Sequence, residues 1–149
     1  MKIEDEIKVN KFSNEWHRCT VNILYTYNCI SNALEQRAAK EGITLKQFNV
    51  LRILRGRYPR PATNSLIRSR MLSFTPDISR MIDRMVSKEL VSRCQSGADK
   101  RAVDLFITNK GLEILKRLDE DMLMMDILPN RISEEEAIAL NALLDKLRG

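Results

Sequence analysis

Two short charged runs carry the chemistry that can be read directly from this chain. The first holds Arg80, Asp83 and Arg84, with Pro76, Asp77 and Ser79 just ahead of them, and the second is Asp99-Lys100-Arg101. A guanidinium is a rigid fork of donors that meets a phosphate or the guanine base edge with two hydrogen bonds. It is also drawn into narrow minor grooves by their negative potential. The chain has one histidine, His17, and no motif places a nucleophile beside a base or sets two acids together. We therefore expect recognition of a polyanion and no enzyme. Asp99 is the odd member, because an acid beside an anionic partner is repulsive unless it has a role. It lies two residues before Arg101, so it either hydrogen-bonds and orients that arginine or is an ordinary turn aspartate.

The charge distribution agrees with this chemistry. Residues 45–110 carry 14 Lys/Arg against 5 Asp/Glu, a net of +9, whereas the rest carry 11 against 15, a net of −4. A basic centre between mildly acidic ends suits a central surface for nucleic acid, although solvated helix faces give the same statistic.

The elements around these residues follow from periodicity. Over residues 10–39 the apolar residues Phe12, Trp16, Cys19, Ile23, Tyr27, Ile30 and Leu34 recur every three or four positions, as on one amphipathic helix. At about 1.5 Å per residue it would be about 45 Å long, more than a small domain covers, so part of its stripe should meet another chain. Thr44 and Gln47 read as a capping box opening a second helix that ends near Arg57, before Tyr58-Pro59-Arg60-Pro61. Thr63 caps a short third helix. Thr75-Pro76 reads as an N-cap and first-turn proline for a fourth, running to about Glu89, with Ile78, Met81, Ile82, Met85 and Val86 as its buried stripe. The period then changes to two. Residues 91–94 and 101–107 make a β-hairpin with a charged tip. Thr108 caps a fifth helix reaching towards Pro129, with Met122 and Met125 on its apolar face, and Ser133 starts a sixth along Leu140, Leu143, Leu144 and Leu147. The fold class is thus mainly α with a small β-hairpin wing. It is a winged helix-turn-helix with long N- and C-terminal helices, in a single domain over 1–149.

The stretch SRMIDRMVSKELVSRCQSGADKRAVDLFITNKG, residues 79–111, resembles the recognition helix and wing of the multiple antibiotic resistance regulator (MarR) family. The carriers are Arg80, Asp83-Arg84, Asp99-Lys100-Arg101 and Ile107-Thr108-Asn109-Lys110-Gly111. The resemblance implies a homodimer joined by the terminal helices, residues 1–40 and 111–149, with a DNA-binding lobe over 44–110. It implies a repressor or activator on a pseudo-palindromic double-stranded operator, contacted by Pro76, Asp77, Ser79, Arg80, Arg84, Asp99, Lys100 and Arg101. It further implies release by a small, often phenolic effector bound where the dimer and DNA-binding regions meet. Two features depart from the family pattern: Leu66, Ile67 and Arg68 stand where Glu-Leu and a small residue are usual, and Tyr58-Pro59-Arg60-Pro61 stiffens the preceding connection. A winged-helix protein-interaction module and an effector-independent architectural DNA-binder are the alternatives.

The remaining reactive residues read more plainly. His17 has no ligand partners nearby, so no metal or cofactor is expected. Cys19, Cys29 and Cys94 are widely spaced and odd in number, which fits neither a disulfide framework nor a zinc site and suits a reducing, cytoplasmic setting. Cys19 lies roughly where peroxide-sensing members of the family keep a reactive cysteine; we read it as an apolar filler of the stripe. Met122, Met124 and Met125 fit either a permissive pocket or a dimer core. The acidic start Met1-Lys2-Ile3-Glu4-Asp5-Glu6 is unlike a signal peptide, and no apolar run reaches the roughly 20 residues of a membrane span.

Overall fold

A computed structural model describes all 149 residues. The elements are α1 (Ile3–Ile7), α2 (Glu15–Ala39), α3 (Leu45–Arg55), α4 (Asn64–Arg70), α5 (Ile78–Ser87), β1 (Val91–Gln95), β2 (Val103–Ile107), α6 (Asn109–Met122) and α7 (Glu134–Arg148), with a 3-10 turn at Leu128–Asn130. The two strands pair antiparallel, with Val91 opposite Ile107 and Gln95 opposite Val103. Ala62 adds a bridge to Leu105, exchanging both backbone bonds at 2.9 Å, so the hairpin is tied to the connection before α4. No helix is long and apolar enough to cross a membrane.

Local chemistry starts most of these helices. Thr44 and Gln47 form the reciprocal capping box of α3, and Ser133 and Glu136 form that of α7. Thr63 and Thr108 accept the backbone N–H three residues on, at the starts of α4 and α6. Two starts differ from the sequence expectation. The chain from residue 10 is not one helix: α2 begins at Glu15, where the Asn14 side chain accepts the His17 N–H, and a separate α1 precedes it. That short helix is held by long-range pairs, Arg18 to Glu4 at 2.7 Å and Tyr25 to Glu6 at 2.8 Å, with Ile3 buried beneath. Nor does Thr75 cap the next helix. Its hydroxyl donates to the Ser73 carbonyl at 3.1 Å, and α5 opens two residues later with Asp77 at the N-cap. The following helix is also shorter than expected. α6 stops at Met122, and Met124 sits at a φ of 54°, so Met125 is 64% exposed rather than on a helical stripe.

The main core spans residues 38–118 and draws on α3, α4, α5, both strands and α6. Leu51, Leu54, Ile67, Ile78, Met85, Leu90, Leu105, Leu115 and Leu118 are fully enclosed. Ile67 points inward and Arg68 outward, so the unusual third-helix sequence still packs. Gly111 is where α6 crosses the hairpin. A Cβ there would stand 2.7 Å from the Leu90 carbonyl and 2.8 Å from Ile107, too close for any side chain. By contrast, α2 buries only Ala38 and α7 buries nothing. Trp16, Leu24 and Tyr27 on α2, and Ile138, Leu140, Leu143 and Leu147 on α7, stay largely uncovered.

Candidate nucleic-acid interface

α5 follows directly from its pattern. Ile78, Ile82 and Met85 lock one face into the core, which leaves Ser79, Arg80, Asp83 and Arg84 in solvent. Pro76 and Asp77 belong to the turn ahead of the helix, and both are exposed. A polar groove of about 490 Å³ gathers Pro76, Asp77, Arg80 and Arg84 against Lys46 and Gln47 at the start of α3. Ser79 lies outside this groove and faces α4, its hydroxyl 3.5 Å from the Asn64 amide nitrogen. Lys46 brings a third cation to the groove; the α3 N-terminus gave no hint of it, because the approach is tertiary.

The wing is built by backbone hydrogen bonds around two side chains. Ser96 is buried, and its hydroxyl accepts the Ala98 and Asp99 N–H groups at 3.3 and 3.4 Å. Gln95 donates to the Lys100 carbonyl at 2.8 Å, and the Ala102 N–H closes the turn onto the Asp99 carbonyl at 2.9 Å. Asp99 does not hold the Arg101 guanidinium. Its carboxylate accepts the backbone N–H of Arg101 at 2.9 Å instead. The reason is reach: a short aspartate side chain naturally bonds the backbone two residues on. The orientation expected of Asp99 is thus exerted on the turn, while Lys100 and Arg101 project into solvent. The Ser96-to-Asp99 spacing was a signal in the sequence for this turn.

One ion pair joins the two charged regions. Asp83 on α5 pairs with Arg93 on β1, fixing the helix to the base of the wing. Arg93 went unnoticed because the pair exists only after the chain reverses between helix and strand.

A second concavity lies where α2 passes over α3. About 320 Å³ in volume, it is lined by Tyr27, Ile30 and Leu34 of α2, Phe48, Asn49 and Arg52 of α3, Leu72 and Met122. Asn49 is 6% exposed, its amide donates to the Met71 sulfur at 3.6 Å, and its carbonyl oxygen has no partner. An unpaired buried acceptor costs about 1–3 kcal/mol. Met122 lines this space, whereas Met124 is buried elsewhere. The three cysteines are exposed thiols, and His17 stacks edge-on against Phe12.

Known proteins match this arrangement. The family model described as MarR matches residues 43–103, which run from the start of α3 through the wing tip and include both charged runs. The chain is 26% identical over 122 residues to the HTH-type transcriptional regulator MhqR of Bacillus subtilis, covering 81% of this chain and 83% of that one. Over this segment it is similar to the MarR family. A second relative, the HTH-type transcriptional regulator PecS of Dickeya dadantii, is 27% identical over 121 residues, 79% of this chain and 72% of its own. Among solved structures, a mutant MarR from E. coli complexed with operator DNA superposes with a TM-score of 0.78 at 25% identity, over 93% of this chain and 99% of the other. The MarR-like winged helix-turn-helix of this chain therefore comprises α3 to β2, with α5 in the position of the recognition helix.

Proposed function

We propose that this chain is a MarR-family regulator, homodimeric and sequence-specific, that binds a pseudo-palindromic double-stranded DNA operator, acting as a repressor relieved by a small aromatic molecule. The observation that carries the DNA reading is the shared groove of Pro76, Asp77, Arg80 and Arg84, flanked by a wing whose turn holds Lys100 and Arg101 in solvent. In a helix-turn-helix the N-terminal part of the recognition helix meets base edges, so Arg80 reads a base and Arg84 sits nearer the phosphates. Ser79 borders the same face, and Asp77 accepts from base amino groups or from Arg80. Arg101 enters the adjacent minor groove. In this reading residues 44–110 form the DNA-binding lobe, and residues 1–40 and 111–149 the dimerisation helices, with α6 bridging the two. That E. coli relative was solved on operator DNA, which supports the assignment.

The effector reading rests on the cavity under α2. It is mostly apolar, it touches both the dimerisation helix α2 and the lobe helix α3, and its polar lining includes Asn49, Arg52 and Lys46. An aromatic ring with a hydroxyl and an acidic group fits those walls. Asn49→Leu should keep DNA binding and lose release by such compounds.

The deciding experiment measures binding to an operator selected from a random duplex pool, at several salt concentrations. Arg101→Ala should weaken binding to every sequence and flatten the salt dependence by about one unit per protomer. Arg80→Ala should cost about 1–3 kcal/mol and relax preference at particular positions only. A wild-type protein that retards no duplex at low salt would sink the proposal.

A further inference from the structure

We propose that Phe74 is a specificity-determining residue that contacts the 5-methyl group of a thymine in the major groove, beside the base read by Arg80. The inference rests on the DNA-binding reading above and adds to it an apolar contact. Phe74 is 88% exposed, in the turn that leads into α5. Leaving a phenyl ring in water forgoes about 1.5–3 kcal/mol of burial, so an uncovered one asks for a partner. The turn presents the ring on a fixed backbone. Thr75 beside it is buried, and its hydroxyl is bonded to the Ser73 carbonyl at 3.1 Å, while Pro76 restricts the next φ.

Position selects the partner. Of the uncovered large apolar side chains within the basic segment, Tyr58, Leu72, Phe74 and Val103, it is Phe74 that stands nearest the N-terminal end of α5. It precedes Thr75, which lines the same groove as Arg80 and Arg84. Leu72, two residues earlier, lines the cavity under α2, but Phe74 lines neither that cavity nor the groove. A recognition helix meets the bases with its N-terminal end, and Phe74 is at that end of α5. The apolar group that base edges offer in the major groove is the thymine methyl, which phenylalanine is suited to contact.

The test replaces thymines of the selected operator, one at a time, by deoxyuridine, which keeps the hydrogen-bonding edge and removes only the methyl. With wild-type protein, one position in each half-site should lose about fourfold in affinity, the loss expected for one buried methyl. With Phe74→Ala the parent and the demethylated operator should bind alike, and Phe74→Leu should keep part of the difference. The ring is exposed, so an unchanged thermal melt should accompany both variants. The inference alone is overturned if no thymine is sensitive to demethylation, or if the same sensitivity persists in Phe74→Ala. If wild-type protein binds no duplex, the DNA-binding reading fails, and this inference fails with it.

Discussion

Asp99 shows how a single carboxylate can serve a DNA-facing arginine without touching its charge. Its oxygen takes the Arg101 backbone N–H, and its own N–H is taken by Ser96, so it shapes the loop from which Arg101 projects. The two possible roles make different predictions. If Asp99 works through the turn, Asp99→Asn should bind operator nearly as wild type, because an amide oxygen accepts the same bond. Asp99→Ala should then weaken binding several-fold while leaving the salt dependence almost unchanged, since no cation is lost. If instead Asp99 paired with the guanidinium, Asn would fail as badly as Ala. Fluorescence anisotropy with the three proteins separates the two. At this scale the sequence was legible where a residue acts on near neighbours. Arg80, Arg84 and Arg101 could be picked out as exposed cations, but whether Asp99 acts on a side chain or on the backbone could not, because both partners belong to the same residue.

At the scale of elements, two contacts tie the helices and the wing together. The first is Asp83 with Arg93, which ties α5 to β1. Both groups are largely exposed, so the pair adds little to overall stability. Its effect should be geometric, holding the wing at a fixed angle to the recognition helix. Asp83→Lys and Arg93→Glu should each reduce operator affinity with little change in melting temperature. The double variant, which restores the pair with reversed charges, should recover part of the loss despite the altered field at the DNA. The second contact is a clasp between the C-terminal end of α2 with its following turn and α6 with the segment after it. Arg37 binds Asp126 through two bonds, at 2.7 and 3.0 Å, and Arg117 binds Glu41 at 2.9 Å. The hydrogen bond from Arg37 holds the Asp126 carboxyl below its ordinary value, and that from Arg117 does the same for Glu41. A carboxyl depressed in the folded state stabilises the fold above its unfolded pKa of about 4, and this contribution disappears as pH falls through that value and below. Melting temperature should therefore fall on acidification through this range, and Arg37→Met should flatten that acid limb. Helix starts fixed by three-residue capping motifs were readable in advance. α1 was not, since Arg18–Glu4 depends on tertiary placement, and neither was the start of α5, because the Thr75 hydroxyl bonds back to the Ser73 carbonyl instead of forward to the helix.

At the scale of the whole molecule, the uneven burial argues for a second chain. The core of the lobe is complete within residues 38–118, whereas α2 and α7 present an apolar groove of about 590 Å³ whose walls include Ile23, Tyr27, Ile30, Leu140 and Leu144. Each large apolar side chain left in water forgoes about 1.5–3 kcal/mol, and α7 alone exposes four of them: Ile138, Leu140, Leu143 and Leu147. Obligate homodimer interfaces are of this hydrophobic kind and bury about 2,000 Å² or more. Sedimentation equilibrium should accordingly give a dimer at micromolar concentration with no detectable monomer. The charge distribution sets what dissociation would do to DNA binding, because each protomer contributes its own groove and wing. A Leu143→Glu, Leu147→Glu variant should break the dimer by burying unpaired carboxylates in the interface. The lobe should remain folded, as its core lies wholly within one chain. Such a monomer should occupy single half-sites, with a salt dependence about half that of the dimer, since half the phosphate contacts are made. A folded wild-type monomer at micromolar concentration, or a dissociated variant that binds the full operator with an undiminished salt slope, would show that the terminal helices do not join two DNA-binding lobes.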